Sequence, residues 1–374
     1  MIRTHSIVLA LAYFLQPIHA AAATPLGIFE DHGDLGTVLH PGAIEYDSTK
    51  RTYTLSGSGE NMWFGTDAFQ FVWKKVSGDV SLAADISFIG SGKEGHRKAV
   101  LMIRQSLDAD SPYADVARHG DGLTSLQARD EKGAKTTEIQ SATKAPVRVR
   151  IAKRGDSFYI WVAGEGEDLK FSGGSMRIPI HDPFYVGIGV CSHNKDTVEQ
   201  AVFSNVDLTV GAPASASPPK LYSTLETVPL AGDRRAVYAT EGRLESPVWR
   251  SNDAIMFHSD GVFEMILAAG GKPEALGIAG MASSGPIATG TNPPSDGFHN
   301  FSPQVSPDGR NIAFLSTSAI AAGIPEDQDV MLRVLSTQDG KVRVLAKFIG
   351  GKGSGPSWSP DSRKIAFISY QRVP

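Results

Sequence analysis

Three groups of residues in this 374-residue chain have types and spacings suited to chemistry. Asp108-Ala-Asp110-Ser-Pro-Tyr-Ala-Asp115 places three carboxylates along a stretch that reads as a loop. Hard cations such as calcium take several oxygen ligands, so Asp108, Asp110 and Asp115 form a candidate calcium site, and calcium is the one cofactor proposed. The stretch lacks the Gly and distal Glu of an EF-hand loop, and the competing reading is an acidic turn in solvent. His119-Gly-Asp121-Gly stands between two predicted strands. A histidine and a carboxylate in a glycine-rich loop can work as an acid/base pair or bind a sugar hydroxyl. The alternative, favoured for these residue types, is a tight turn whose Asp bonds its own backbone. Trp63-Phe64 offers a stacking platform for a sugar ring, although aromatics in such places more often fill a core. Glycoside hydrolysis would need two carboxylates roughly 5–10 Å apart. Asp85, Asp115 and Asp121 are available, and no pattern selects among them. Cys191 reads as an inert buried thiol, with His193 two residues on as the one group that argues for reactivity. No Cys/His group has zinc spacing, and no G-x-S-x-G pentapeptide occurs.

The elements that must position these residues are short strands. Val80, Leu82, Ala84, Ile86 and Phe88 alternate strictly, as do Phe69, Phe71 and Trp73. Val100–Ile103 is a continuous apolar run, expected of a strand covered on both faces. Val147–Ala152 and Ser157–Val162 flank the turn Lys153-Arg154-Gly155-Asp156, and Phe184–Cys191 and Ala201–Leu208 complete the set. No segment sustains helical spacing. So many strands in fewer than 200 residues predict an antiparallel β-sandwich or jelly roll over about residues 25–210.

Phe71–Leu82, Lys98 through Asp121 and Phe184 through Asn194 together resemble an exported domain of unassigned function among the laminin-G and concanavalin-like jelly rolls. The resemblance covers nearly all of 27–208. It implies the sandwich, and leaves sugar binding, protein binding and hydrolysis all open.

Beyond the Pro/Ala/Ser-rich stretch 211–219, which reads as a linker, two segments are near copies. Pro303-Gln-Val-Ser-Pro-Asp-Gly-Arg-Asn-Ile-Ala-Phe-Leu-Ser316 matches Pro356-Ser-Trp-Ser-Pro-Asp-Ser-Arg-Lys-Ile-Ala-Phe-Ile-Ser369, and Pro247–Phe257 is a degraded third. Asp308, Gly309 and Asp361 fall in the turn of each hairpin, a structural role. A second hairpin follows each of two copies, at 263–276 and 330–346, which makes four-stranded units. The repeated Ser-Pro-Asp followed by Ile-Ala-Phe resembles the TolB-type β-propeller repeat. That resemblance implies an exported scaffold that meets envelope proteins. At roughly 40–45 residues per blade, 220–374 holds three to four blades, whereas closed rings take roughly four to eight. The expectation is therefore a partial or shortened propeller of about three blades. It is short in itself, or closed by another chain, or part of something longer.

Residues 1–23 read as a secretory signal: Arg3, the apolar run Ile7–Leu15, then Ala20–Ala23 for cleavage. Nine apolar residues are too few to span a bilayer, so no membrane span is expected. Lys plus Arg is 36 against 40 Asp plus Glu, a net charge of −4, which argues against a nucleic-acid partner. One cysteine makes no intramolecular disulfide, so stability must come from packed cores. The whole reads as an all-β protein, periplasmic or secreted: a jelly-roll sandwich, then propeller blades. Its expected role is non-catalytic binding, of an envelope or extracellular protein and of a glycan. The alternative is a carbohydrate-active enzyme with its site on the concave face of the sandwich.

Overall fold

The structure, a computed structural model, describes residues 26–211, 218–276, 296–318, 328–350 and 355–374. The export reading on 1–23 and residues 212–217 of the linker lie outside them. Every regular element among the described residues is a β-strand. All pairings but one are antiparallel.

Two sheets make the sandwich. One runs Asp31–Leu35, Phe69–Val76, Phe184–Cys191, Lys98–Arg104, Tyr113–His119, Thr124–Arg129, Thr137–Gln140. The other runs Lys170–Phe171, Ser157–Ala163, Arg148–Arg154, Val80–Ile89, Glu199–Val210, Thr52–Gly57, Ala43–Asp47. Alternation decides what lies between them. Leu82, Ala84 and Ile86 meet Leu101, Ile103, Val116 and Ile188 in one continuous apolar core. The intervening positions of the first sheet point outward. There Phe69, Phe71, Val100, Met102 and Tyr113 form a second cluster beneath Met62. Lys98–Arg104 is thus buried along its whole length, as its unbroken apolar run predicts.

The first sheet does not stop at Thr137–Gln140. Arg234 and Arg235 pair in parallel with Ile139 and Gln140, and carry the sheet on through Arg234–Glu241, Lys220–Pro229, Lys364–Val373 and Ser357–Trp358. These last four strands come from opposite ends of the C-terminal region and form one shared four-stranded unit. Two further four-stranded sheets flank it: Leu244–Trp249 to Glu274–Ala275, and His299–Val305 to Val342–Gly350. The strand Lys364–Val373 shows why both flanks bind. Ile365 and Phe367 face the second flanking sheet. Ala366, Ile368 and Tyr370 face the first.

The repeats hold hands by one recurring bond. Trp249 Nε1 donates to the Ser357 carbonyl at 3.1 Å, and Trp358 Nε1 donates to the Gln304 carbonyl at 3.0 Å. The equivalent position in the repeat Pro303–Ser316 is Val305, whose side chain has no donor and which is 39% exposed. The series ends there. The two flanking sheets share no apolar cluster, and the described sheets close no ring. The turns behave as expected. Gly309 N bonds the Ser306 carbonyl at 2.8 Å, and Asp308 and Asp361 each accept from their own Ser306 or Ser359 hydroxyl at 2.6 Å. Asp308 N reaches Ser362 Oγ and Asp361 N reaches Asn252 Oδ1, so equivalent turns touch from repeat to repeat.

Candidate functional site

On the outward face of the first sheet, polar residues replace the apolar cluster towards the Thr137–Gln140 side. Strand parity places Lys98 beside His119, and Gln127 beside Glu138, all on that face. Segment 58–67 lies over the face and is pinned from beneath. Arg129 donates to both oxygens of Asp67, at 2.7 and 3.0 Å, and Arg104 lies 3.4 Å away; all three side chains are fully buried. Tyr113 Oη donates to the Met62 carbonyl at 2.9 Å, and Thr136 N donates to the Trp63 carbonyl at 3.0 Å. These bonds fix Asn61 and Trp63 at the edge of a cleft of about 290 Å³. His96 and His193 enter it from loops, and Asp233 enters from the turn before Arg234–Glu241.

The cleft is polar with one aromatic wall. Trp63 is half-buried, with the Lys98 and Lys135 ammonium groups 5.5 and 5.9 Å from its ring. The His96 ring lies 5.7 Å from that of His119 and 5.5 Å from that of His193. Burial, then the Lys98 charge, holds His119 down to about 3, so it is a neutral imidazole; its Nδ1 lies 3.1 Å from the Leu123 carbonyl. His193 is lowered by the same two causes. Burial also pulls the Lys98 ammonium below its ordinary range, against the attraction of nearby acidic groups. Glu138 accepts from Gln140 Nε2 at 2.6 Å and Gln127 Nε2 at 3.3 Å. Asp233 is raised above the ordinary carboxylate range, by burial first and then by Glu138. Two buried polar atoms, Gln127 Oε1 and His193 Nδ1, have no hydrogen-bond partner.

Of the candidates named from sequence, Trp63 and His119 line this cleft. Asp121 does not. It is exposed, and its Oδ1 accepts from Leu123 N at 2.9 Å, which makes it the turn carboxylate of the competing reading and no partner to His119. The proposed calcium ligands do not converge. Lys132 bridges Asp108 and Asp110 at 3.0 and 3.4 Å, whereas Asp115 is fully buried in Tyr113–His119, because the loop ends at Pro112 and the strand has begun. Burial raises Asp115 well above the carboxylate range, and neither of its oxygens has a partner. Among the described residues no group of three or more His, Cys, Asp or Glu is placed to hold a metal ion. Asp85 lies in the opposite sheet, held by Arg148 at 2.8 Å and Asn205 at 2.6 Å. Asp85, Asp115 and Asp121 therefore share no groove. Cys191 is buried and its thiol is pushed up to about 11, although Lys98 is its cross-strand partner; burial outweighs that charge.

The sequence reading passes over Lys98, Gln127, Glu138 and Asp233. Strand alternation carries the signal for the first three, each polar at a position where its neighbours face the core. Asp233 has no local signal, because only the parallel pairing brings it here.

No family model matches the chain. A protein of Agrobacterium fabrum described as uncharacterized is 34% identical over 70 residues, 18% of this chain. The match spans about a quarter of that relative's length (24%). The carbohydrate-binding module CBM66 from Bacillus subtilis is similar in structure at 17% identity, covering 48% of this chain and 96% of its own, with a TM-score of 0.32. A protein of Agrobacterium tumefaciens described as a TolB is 15% identical, covering 75% of this chain and 100% of its own, with a TM-score of 0.20. Similarities this low leave the fold resting on the chain's own sheets and cores.

Proposed function

We propose that this chain is an exported glycan-binding protein, whose sandwich receives sugar against Trp63. The single observation that carries the reading is the composition of the cleft. It sets a half-buried indole against amides, imidazoles and carboxylates, two of whose buried polar atoms lack partners. A pyranose offers an apolar C–H face for the indole and hydroxyls that both donate and accept, which is the complement of such a wall. Export rests on the signal reading of residues 1–23. We read the C-terminal sheets as a propeller-type arc of three blades, left open beyond Val305, that presents its turns to an envelope or extracellular protein.

The test is affinity electrophoresis of the full chain in gels containing mixed-linkage β-glucan, a neutral polymer, or polygalacturonate, an acidic one. Retardation is expected in one of them, and Trp63→Ala should weaken it roughly tenfold, the loss of one aromatic stack. Unchanged mobility of the wild-type chain in both gels overturns the reading.

A further inference from the structure

The carboxylates of the cleft beside Trp63 also line a neighbouring cavity. A second cavity of about 310 Å³ lies beyond, between the sandwich and the second flanking sheet, walled by Met176 and Ile178 on one side and Val344 and Leu345 on the other. The two cavities have two lining residues in common, Glu138 and Asp233. A chain-like ligand reaching from one to the other would meet these carboxylates.

Their approach follows from the backbone. Arg234 pairs in parallel with Ile139 and Arg235 with Gln140, and one step back along the same register sets Asp233 against Glu138. Parallel neighbours stand about 4.8 Å apart and point side chains to the same face. A retaining pair needs its carboxyl groups roughly 5–5.5 Å apart, a separation within reach of side chains on neighbouring parallel strands. The two differ in setting. Glu138 is buried and accepts from two side-chain amides, which orient it. Asp233 is half-buried and faces that carboxylate, which favours its protonated form. Gln127, 1% exposed, lines the same cleft and has a buried Oε1 without a partner.

From this arrangement we infer that Glu138 and Asp233 form a glycosidase pair that cleaves a polysaccharide lying across the two cavities. The inference rests on the glycan-binding reading above. In the first step a Glu138 oxygen bonds to the anomeric carbon as the glycosidic C–O bond breaks, and the Asp233 proton passes to the departing oxygen. In the second, Asp233, now a carboxylate, takes a proton from water. The resulting hydroxide displaces Glu138 from the anomeric carbon, and both groups return to their starting states. One water is consumed for each bond cleaved, and the anomeric configuration is retained. The sandwich supplies one carboxylate and the C-terminal region the other, which gives the parallel junction a catalytic purpose.

The experiment incubates the full chain with mixed-linkage β-glucan and with polygalacturonate, and measures new reducing ends alongside gel retardation. The expected result is release from whichever polymer retards the protein. Glu138→Gln and Asp233→Asn, which keep side-chain volume, should each lower the rate by about 10²–10⁴-fold, far more than they weaken retardation. Product anomers read by NMR should match the substrate linkage, and azide should restore turnover to Glu138→Ala with a glycosyl azide as product. Retardation without new reducing ends overturns the glycosidase pair and leaves the binding reading standing. Absence of both overturns both. Activity that survives Glu138→Gln, or an inverted product, overturns the assignment of Glu138.

Discussion

The sandwich and the C-terminal sheets are built from similar short strands, yet they bury apolar surface in different ways. In the sandwich, two sheets close over one continuous core, and a chain segment that turns over the outer face adds a second cluster. Among the described residues of the C-terminal region there is no common centre. Two separate clusters lie on opposite faces of the shared unit: Val228, Trp358, Ile365 and Phe367 join one, and Leu225, Val237, Ala366, Ile368 and Tyr370 the other. The first arrangement spreads stability over many residues. The second concentrates it in a unit assembled from residues 220–241 and 357–373, far apart in sequence.

The largest effects should come from striking each region at its own anchor. Phe367, 1% exposed and 4.8 Å from the Phe348 ring, should cost about 3–5 kcal/mol on truncation to Ala. Hydrogen exchange should then show lost protection in the C-terminal sheets with Val80–Ile89 still protected. Equal loss in both would show that the parallel junction makes them one cooperative unit. Asp67→Ala leaves the fully buried Arg104 and Arg129 without their carboxylate, a penalty of about 3–5 kcal/mol, and should release segment 58–67. Denaturant melts with Trp63 accessibility to a quencher check this. A small shift would mean that the segment is held by its backbone bonds alone.

A smaller loss sharpens the view of the repeats. Trp358→Phe removes the indole donor to Gln304 and should cost about 1 kcal/mol, read as a lower midpoint of the C-terminal transition. Gly309, at φ +72°, sits in the left-handed region with open space around it, so Gly309→Ala should cost about 1–2 kcal/mol by backbone strain alone. If thermal melts place its effect in the sandwich transition, the two regions are coupled more tightly than their clusters imply.

The last effect is nil at neutral pH. His119 is held at about 3 in the fold and titrates near 6.5 when unfolded. The unfolded chain therefore takes the proton first. The stabilisation is complete above about pH 6.5 and is lost progressively as pH falls towards 3. The wild-type minus His119→Gln stability difference should slope by up to one proton in that window. A flat difference would place the imidazole in solvent.

Much of this was legible locally. The alternation of Val80–Phe88 and the unbroken run Val100–Ile103 specify what each face meets, because strand geometry repeats every two residues. The Ser-Pro-Asp turns declare the repeats, since Pro and Asp carry their own backbone preferences. The same rules misplaced Asp115, where an acidic residue beside a turn looked like part of the loop, although Tyr113, Asp115, Ala117 and His119 alternate on one strand face. Trp63 and His119 were found for their side chains, and Asp121 was drawn in by adjacency alone.

The sequence by itself determined much of the strand content, the turn positions, the repeat and the alternation of strands such as Val80–Ile89. All of these are set by contacts within a few residues. Tertiary structure alone decided three things: that Asp233 meets Glu138, that segment 58–67 covers the polar face, and that both ends of the C-terminal region build one sheet. Each of these depends on strand edges or buried charges finding partners a hundred or so residues away along the chain or across the fold. Backbone hydrogen bonds at an edge accept any strand of suitable geometry, so no local pattern names the partner.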